Sequence, residues 1–233
     1  AAFLEGKKRS PVMLFTGRQP VVSRHGLAAT VAWGRNGQTY YGLEGNINYA
    51  GAVIEWLIHR AGLLTSADEA EALALQAAPA DRTVFVPAFT GLGAPHWAPE
   101  MRAAIVGMGS TTGRAEIVRA AVDSIAYQVT DVLRAMAEDV GQPAAQLFCD
   151  GGAVRNSYLM QRQSELLRSV IRVAENQDGS CAGAAKMAGE AAGLYGGDTV
   201  FGAWQREYRP QQSAAWAEAE YGRWQSAVKQ IKG

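Results

Sequence analysis

Asp150 to Gln161 reads DGGAVRNSYLMQ, and it follows the apolar run Gln146 to Cys149. An apolar run, two glycines and then a helical pattern make a strand-to-helix turn. Glycine there lets a ligand approach the backbone closely. The helix that follows offers free N–H groups and the positive end of its dipole to anything anionic or polar. Taken alone, such a turn is also read as a plain connection, as most glycine-bearing turns of this kind are. Its weight comes from the sequence on either side.

Working outward, the pattern is mixed α/β. Val12 to Phe15, Leu27 to Trp33 and Thr39 to Leu43 are short β-prone runs, with Asn36-Gly37 as a hairpin signal between the last two. A helix is predicted from Asn48 to Ala61, with Val53, Trp56 and Leu57 on one face. A second is predicted from Ser66, which with Glu69 makes a capping box. Thr83 to Phe89 and Ala103 to Val106 read as strands flanking the loop TGLGAPHWAP. The longest helix is predicted from Arg114 to Asp139. Its apolar positions Val118, Val122, Ile125, Val129, Val132 and Met136 alternate in spacings of four and three, and Glu116, Arg119, Asp123 and Arg134 keep to other faces. After the DGG turn come a strand at Val170 to Ala174, a small-residue helix at Ser180 to Leu194, and a final amphipathic helix carrying Ala217, Tyr221, Trp224, Val228 and Ile231. No repeat or linker interrupts the order, so one domain is expected, a mixed sheet with helices on its faces.

Composition narrows the function. The 22 basic and 22 acidic side chains cancel, which argues against nucleic acid or an anionic membrane as partner. No apolar run approaches a membrane span and no signal-peptide pattern opens the sequence, so a cytoplasmic protein is expected. Cys149 and Cys181 sit among apolar or small residues and are expected to be reduced, buried thiols. His25, His59 and His96 stand apart from one another without metal-ligand spacing.

Several segments together resemble one family. PAFTGLGAPHW (Pro87 to Trp97), DGGAVRN and GLEGNINYAGAVIEWL (Gly42 to Leu57) are similar to the C-terminal domain of the FGGY carbohydrate kinases, glycerol kinases above all. AAIVGMGSTTGRAEIVRAAVD (Ala103 to Asp123) fits that family's second signature, and SCAGAAKMAG (Ser180 to Gly189) resembles its small-residue helix on the nucleotide side. REYRP near Arg206 resembles the stretch before its closing helix. The resemblance covers residues 11–233 and leaves 1–10 unmatched. It implies a ribonuclease H-like, actin/hexokinase-type nucleotide-binding domain and an ATP- and Mg²⁺-dependent kinase acting on a small molecule, glycerol or a related polyol. A homo-oligomer is expected as well. The family's catalytic base belongs to its N-terminal domain, so no catalytic residue is expected in this chain, which by itself is expected to be inactive. A non-catalytic nucleotide-binding or assembly module, and a kinase of another polyol or sugar, stand as alternatives.

Carried over by resemblance, Gly51 and Gly152 are places where the backbone passes close to the nucleotide, and Asn156 hydrogen-bonds its adenine or ribose side. Gly51 equally suits tight helix packing between Ala50 and Ala52, and Asn156, whose motif favours the nucleotide role, also stands where a helix cap would. Asp150, at the end of a strand, either helps hold the water shell of Mg²⁺ or caps the next helix. Glu55 stands near the nucleotide where the family usually has glutamine, so an acceptor replaces an amide that could donate. The sharpest departure is at Gly6 to Pro11, GKKRSP. The family has a Gly-Thr-Gly phosphate turn there, and here Lys7, Lys8 and Arg9 offer only point charges. GLGAPHW is expected to be a rigid loop with a buried indole.

Overall fold

The computed structural model describes residues 2–6, 10–175, 178–194, 196 and 204–233, with backbone only for 2–6 and 204. Lys7, Lys8 and Arg9 therefore lie outside the described residues. Strands β1 (Ala2–Gly6), β2 (Ser10–Gly17), β3 (Ala28–Arg35) and β4 (Gln38–Ile47) come first. Helices α1 (Gly51–His59) and α2 (Glu69–Gln76) follow, then the short strands β5 (Val84–Val86) and β6 (Ala104–Val106). The long helix α3 (Arg114–Val140) precedes β7 (Gln146–Gly151), α4 (Ser157–Leu167), β8 (Val170–Ala174), α5 (Gly179–Ala191), β9 (Trp204–Tyr208) and α6 (Ala214–Lys232).

The main sheet has the order β3-β4-β2-β1-β7-β8-β9. Strands β1, β7 and β8 run parallel, and the remaining pairs are antiparallel. The carboxyl ends of β1 and β7 therefore leave the sheet side by side, with Gly6 beside Gly151. In sheets of this kind ligands gather beyond the carboxyl ends of the strands. Residues 2–6 thus lie inside the sheet. Strands β5 and β6 form a separate ribbon rather than joining the main sheet.

The hairpin between β3 and β4 closes through Asn36 (φ 51°) and Gly37 (φ 72°), the left-handed pair that a two-residue turn requires. Helix α3 runs through the middle of the molecule, and Val118, Val122, Val129, Val132 and Met136 are all buried. Each such side chain contributes about 1.5–3 kcal/mol on leaving water. The helix lies so close on β4 that a Cβ on Gly45 would come within 2.5 Å of Val132 Cγ1. Burial extends all round α3, contrary to the expected polar faces: Glu116, Asp123, Gln128, Thr130 and Asp131 are also buried. Asp123 and Asp131 take partners from elements distant in sequence, whereas Gln128 and Thr130 donate to carbonyls one turn back on the same helix.

Three further local expectations are corrected. Helix α2 begins at Glu69 without a side-chain cap. Glu69 instead accepts from Thr65 N–H (2.8 Å) and pairs with Arg114, so Ser66 caps nothing. Cys149 is buried, and burial followed by the Asp150 charge pushes its thiol well above the ordinary range, but Cys181 is exposed. Trp97 is 63% exposed, its indole lying over Gly26; the PHW loop is anchored instead by the half-buried His96, 2.8 Å from Asp131.

Candidate nucleotide site

Strand β7 ends at Gly151, whose φ of 80° only glycine adopts without strain, and this bend turns the chain into the short 3-10 turn Gly152–Arg155. Gly152 is not in the left-handed region, and a Cβ built there meets nothing within 4 Å. Its glycine therefore answers no steric demand of the fold itself. Val154 is buried beneath the turn, and Arg206 holds the turn from below by donating to Val154 O (2.9 Å) and Ser157 Oγ (3.0 Å). Helix α4 then starts with Asn156 as its N-cap, Oδ1 accepting from Leu159 N–H at 2.8 Å.

A buried ion network fixes the direction of α4. Arg162 stands 3.2 Å from Asp123 on α3 and 2.5 Å from Glu220 on α6, and Tyr158 donates to Asp123 at 2.9 Å. Burial pushes the Asp123 carboxyl upward, with Arg162 and Tyr158 offsetting part of the rise. For Glu220 the balance tips the other way. Burial raises it, but Arg162 and Arg223 outweigh that and hold it below the usual carboxylate range.

In front of this turn lies a cavity of about 470 Å³. Its floor is apolar: Ile54 from α1, Ala70 from α2, Val122 and Ile125 from α3, Leu159 from α4. Its rim is polar: Glu55, Asp68, Glu71, Arg155 and Asn156, with Gly51 and Gly152 where the backbone itself forms the wall. An apolar floor with a few polar groups at the edge is the usual build of a small-molecule site, and this volume suits a drug-sized ligand.

The structure brings Gly51, Glu55, Gly152 and Asn156 to this one cavity. Gly51 is the first residue of α1 rather than an interior one, so the interior-helix penalty does not bear on it. Asn156 is both cap and lining, since its Oδ1 is used by the helix while the side chain borders the cavity. Glu55 is exposed at the mouth, 3.1 Å from His59 one turn later. Asp150 does not line the cavity. It is 1% exposed, and its Oδ2 accepts from Gly179 N–H at 2.7 Å at the start of α5. No residue of the small-residue helix α5 lines the cavity either. Sequence reading missed Asp68 and Glu71, which α2 brings to the rim by packing on α3. It also missed Arg155, which was in plain view inside the DGG turn. Among the described residues no group of three or more His, Cys, Asp or Glu is arranged to hold a metal ion, and no helix is long and apolar enough to cross a membrane.

Residues 10–192 match the model of the FGGY family of carbohydrate kinases, C-terminal domain. The chain belongs to this family. Among the family's curated members it is 41% identical to the glycerol kinase of Alkalilimnicola ehrlichii over 222 residues, which cover 95% of this chain and 45% of that protein. It is likewise 41% identical to the glycerol kinase of Acinetobacter baylyi, covering 94% and 45%. The chain thus spans about half the length of the curated relatives it matches. Its fold is that of the family's solved members. The glycerol kinase of Plasmodium falciparum with ADP superposes with a TM-score of 0.90 at 27% identity, covering 99% of this chain and 47% of that one. The gluconate kinase of Lactobacillus acidophilus, at 18% identity and a TM-score of 0.84, shares the fold. The chain is therefore a ribonuclease H-like domain of the actin and hexokinase type.

Proposed function

We propose that this chain is the nucleotide-binding domain of an ATP-dependent glycerol kinase, spanning residues 11–233, which moves the γ-phosphoryl group of ATP to a hydroxyl of glycerol. The observation that carries the reading is the convergence of Gly51, Glu55, Gly152 and Asn156 on one apolar-floored cavity beside the DGG turn. The glycerol assignment is supported by the names of its relatives at 41% identity.

In this reading the nucleoside enters against Ile54, Val122, Ile125 and Leu159. Asn156, with Oδ1 committed to Leu159 N–H, offers its amide N–H groups to acceptors on the nucleoside. Glu55 accepts from a ligand donor. The phosphate chain leaves past Gly51 and Gly152, where no side chain keeps it from the backbone. The transferred phosphorus bonds to the glycerol oxygen as its bond to the ADP oxygen breaks. The hydroxyl proton goes to a carboxylate that the family resemblance assigns to a facing domain. Positioning and water exclusion on domain closure supply most of the rate.

Mg²⁺ neutralises phosphate charge when it accompanies the nucleotide. The ion would be held mostly by phosphates and waters, and Asp150, buried at the start of α5, would reach it only through a water. A cytoplasmic homo-oligomer fits the exposed Phe15, Val31 and Trp33 on β2 and β3; sedimentation as a strict monomer at high concentration would count against self-association.

Calorimetric titration of the 233-residue chain tests the reading. ADP and ATP should bind weakly and about equally, because the γ-phosphate is gripped jointly with a facing domain. Absence of adenine-nucleotide binding at millimolar concentration would sink it. With ATP, Mg²⁺ and glycerol, this chain alone should form no glycerol 3-phosphate. Turnover at the about 1–100 per second of ordinary kinases would locate the proton acceptor within it.

A further inference from the structure

Arg155 differs from most arginines of the molecule, and it is the arginine that borders the nucleotide cavity. Its side chain lines the nucleotide cavity and is exposed, yet among the described residues it makes no hydrogen bond, ion pair or ring contact. Glu55, Asp68 and Glu71 line the same cavity, and none is within ion-pair distance of it. Most other guanidinium groups are engaged, the exposed Arg60 just past α1 being an exception among the described residues. Arg162 spans Asp123 and Glu220, Arg206 braces the DGG turn, Arg134 covers Tyr221, and Arg114 and Arg119 tie loops to α3.

The backbone beneath Arg155 is fixed. It ends a 3-10 turn whose Val154 is buried and whose carbonyl is held by Arg206, and the next residue is the cap of α4. Its stem therefore leaves a rigid platform at the edge of an apolar cavity. Among the described residues the planar head has no partner.

We propose that Arg155 is a nucleoside-recognition residue, its guanidinium stacking on the outer face of the base once the inner face rests on Ile54, Val122 and Leu159. The proposal rests on the nucleotide reading above and deepens it. A guanidinium is planar, delocalised and weakly hydrated, and it favours the face of a flat π-system over full solvation. The rim carboxylates point to the base rather than the phosphates as its target. They make the α2 side of the cavity repellent to a polyphosphate and receptive to the amino group of a base. The nucleoside therefore fills the cavity, and the phosphates lie at the glycine side.

The test is a binding series on the 233-residue chain with adenosine, ADP and ribose 5-phosphate, for the wild type, Arg155→Ala and Arg155→Lys. As an exposed residue without partners, Arg155 should be replaceable with the fold retained, which circular dichroism and urea midpoints check. Arg155→Ala should weaken adenosine and ADP by the same factor, about fivefold. Arg155→Lys, which keeps the charge and loses the plane, should restore less than half of that on a logarithmic scale. Ribose 5-phosphate should bind all three chains alike. Weakening of ADP alone, with adenosine unchanged, would assign the guanidinium to phosphate and overturn the proposal, as would full rescue by lysine. Unchanged adenosine and ADP binding in Arg155→Ala would overturn it while leaving the nucleotide reading intact. A wild type that binds neither would remove both.

Discussion

The PHW loop and the DGG turn are both glycine-bearing connections, and they spend their polar groups in opposite ways. In the first, His96 stands 2.8 Å from Asp131 Oδ2, and the same carboxylate accepts from Tyr221 Oη at 2.6 Å and Trp224 Nε1 at 2.8 Å. Asp131 is 3% exposed, and its partners join a loop, α3 and α6. Lys232 near the chain end reaches back to His96 O. These polar groups have internal partners, and a water-sized space of about 10 Å³ remains beside them. In front of the DGG turn an apolar floor is left open, and Arg155 at its rim has no partner among the described residues. A connection satisfied from within is structure, whereas one left open has chemistry still to make.

The comparison breaks most visibly at Asp131. Asp131→Ala leaves two buried donors, the tyrosine hydroxyl and the indole N–H, without an acceptor. The expected loss is about 3–5 kcal/mol, read as a lowered urea midpoint. A loss below about 1 kcal/mol would mean that the loop is not anchored through this carboxylate.

Glycines of the two regions sharpen it next. At Gly91, φ is 82° and a Cβ would meet Pro99 Cα at 2.5 Å and Ala98 O at 2.6 Å. Gly91→Ala should cost about 2–3 kcal/mol of stability from strain and overlap. Gly152→Val should leave the urea midpoint within about 0.5 kcal/mol, because nothing lies within 4 Å of its Cβ and its φ is not left-handed. It should nonetheless abolish nucleotide binding. Equal stability losses at the two glycines would erase the distinction.

Asn156 lies between the two behaviours. Asn156→Ala removes the hydrogen bond to Leu159 N–H, worth about 1 kcal/mol, and takes away the amide at the cavity rim. Asn156→Ser retains the cap and should recover the midpoint without recovering ADP affinity. If serine restores both, the residue serves the helix alone.

How much of this was legible follows from the range of each interaction. Most strand and helix positions were, because they rest on local periodicity, but the strands Ala2–Gly6 and Trp204–Tyr208 were not read. Val170–Ala174 was read with its observed bounds, and α3 to within a residue. The DGG turn and its glycines were legible because a βα turn is built from consecutive residues. The partners of Asp123 and Asp131 were not, since Arg162, Tyr221 and Trp224 are brought to them only by packing. Asp68 and Glu71 escaped for the same reason: nothing within α2 announces that it faces a cavity formed with α1 and α4. The Ser66 cap failed because Arg114, far along the chain, competes for Glu69. Lys7, Lys8 and Arg9, whose charge was the sharpest departure in the sequence, lie outside the described residues.

The smallest effect concerns how the cavity wall is seated. Glu116 accepts from Ala78 N–H at 2.8 Å and from Gly113 N–H at 2.9 Å. It thereby ties the end of α2 to the first turn of α3. The N-terminal half of a capping box is present, and Gly113 has no side chain to supply the other half. These donors, Ala78 first, hold the Glu116 carboxyl below its ordinary value of 4.5. A depressed folded-state value means that the contribution is complete above the unfolded value and is lost as pH falls through the folded one. Glu116→Gln should therefore cost about 1 kcal/mol near neutrality, and the gap to wild type should narrow as pH drops below 4.5. Since α2 carries Asp68 and Glu71 to the rim, the variant should also weaken ADP slightly, by about twofold or less. A gap that widens in acid would show that this carboxylate is stabilised by its protonated form, contrary to the hydrogen bonds it accepts.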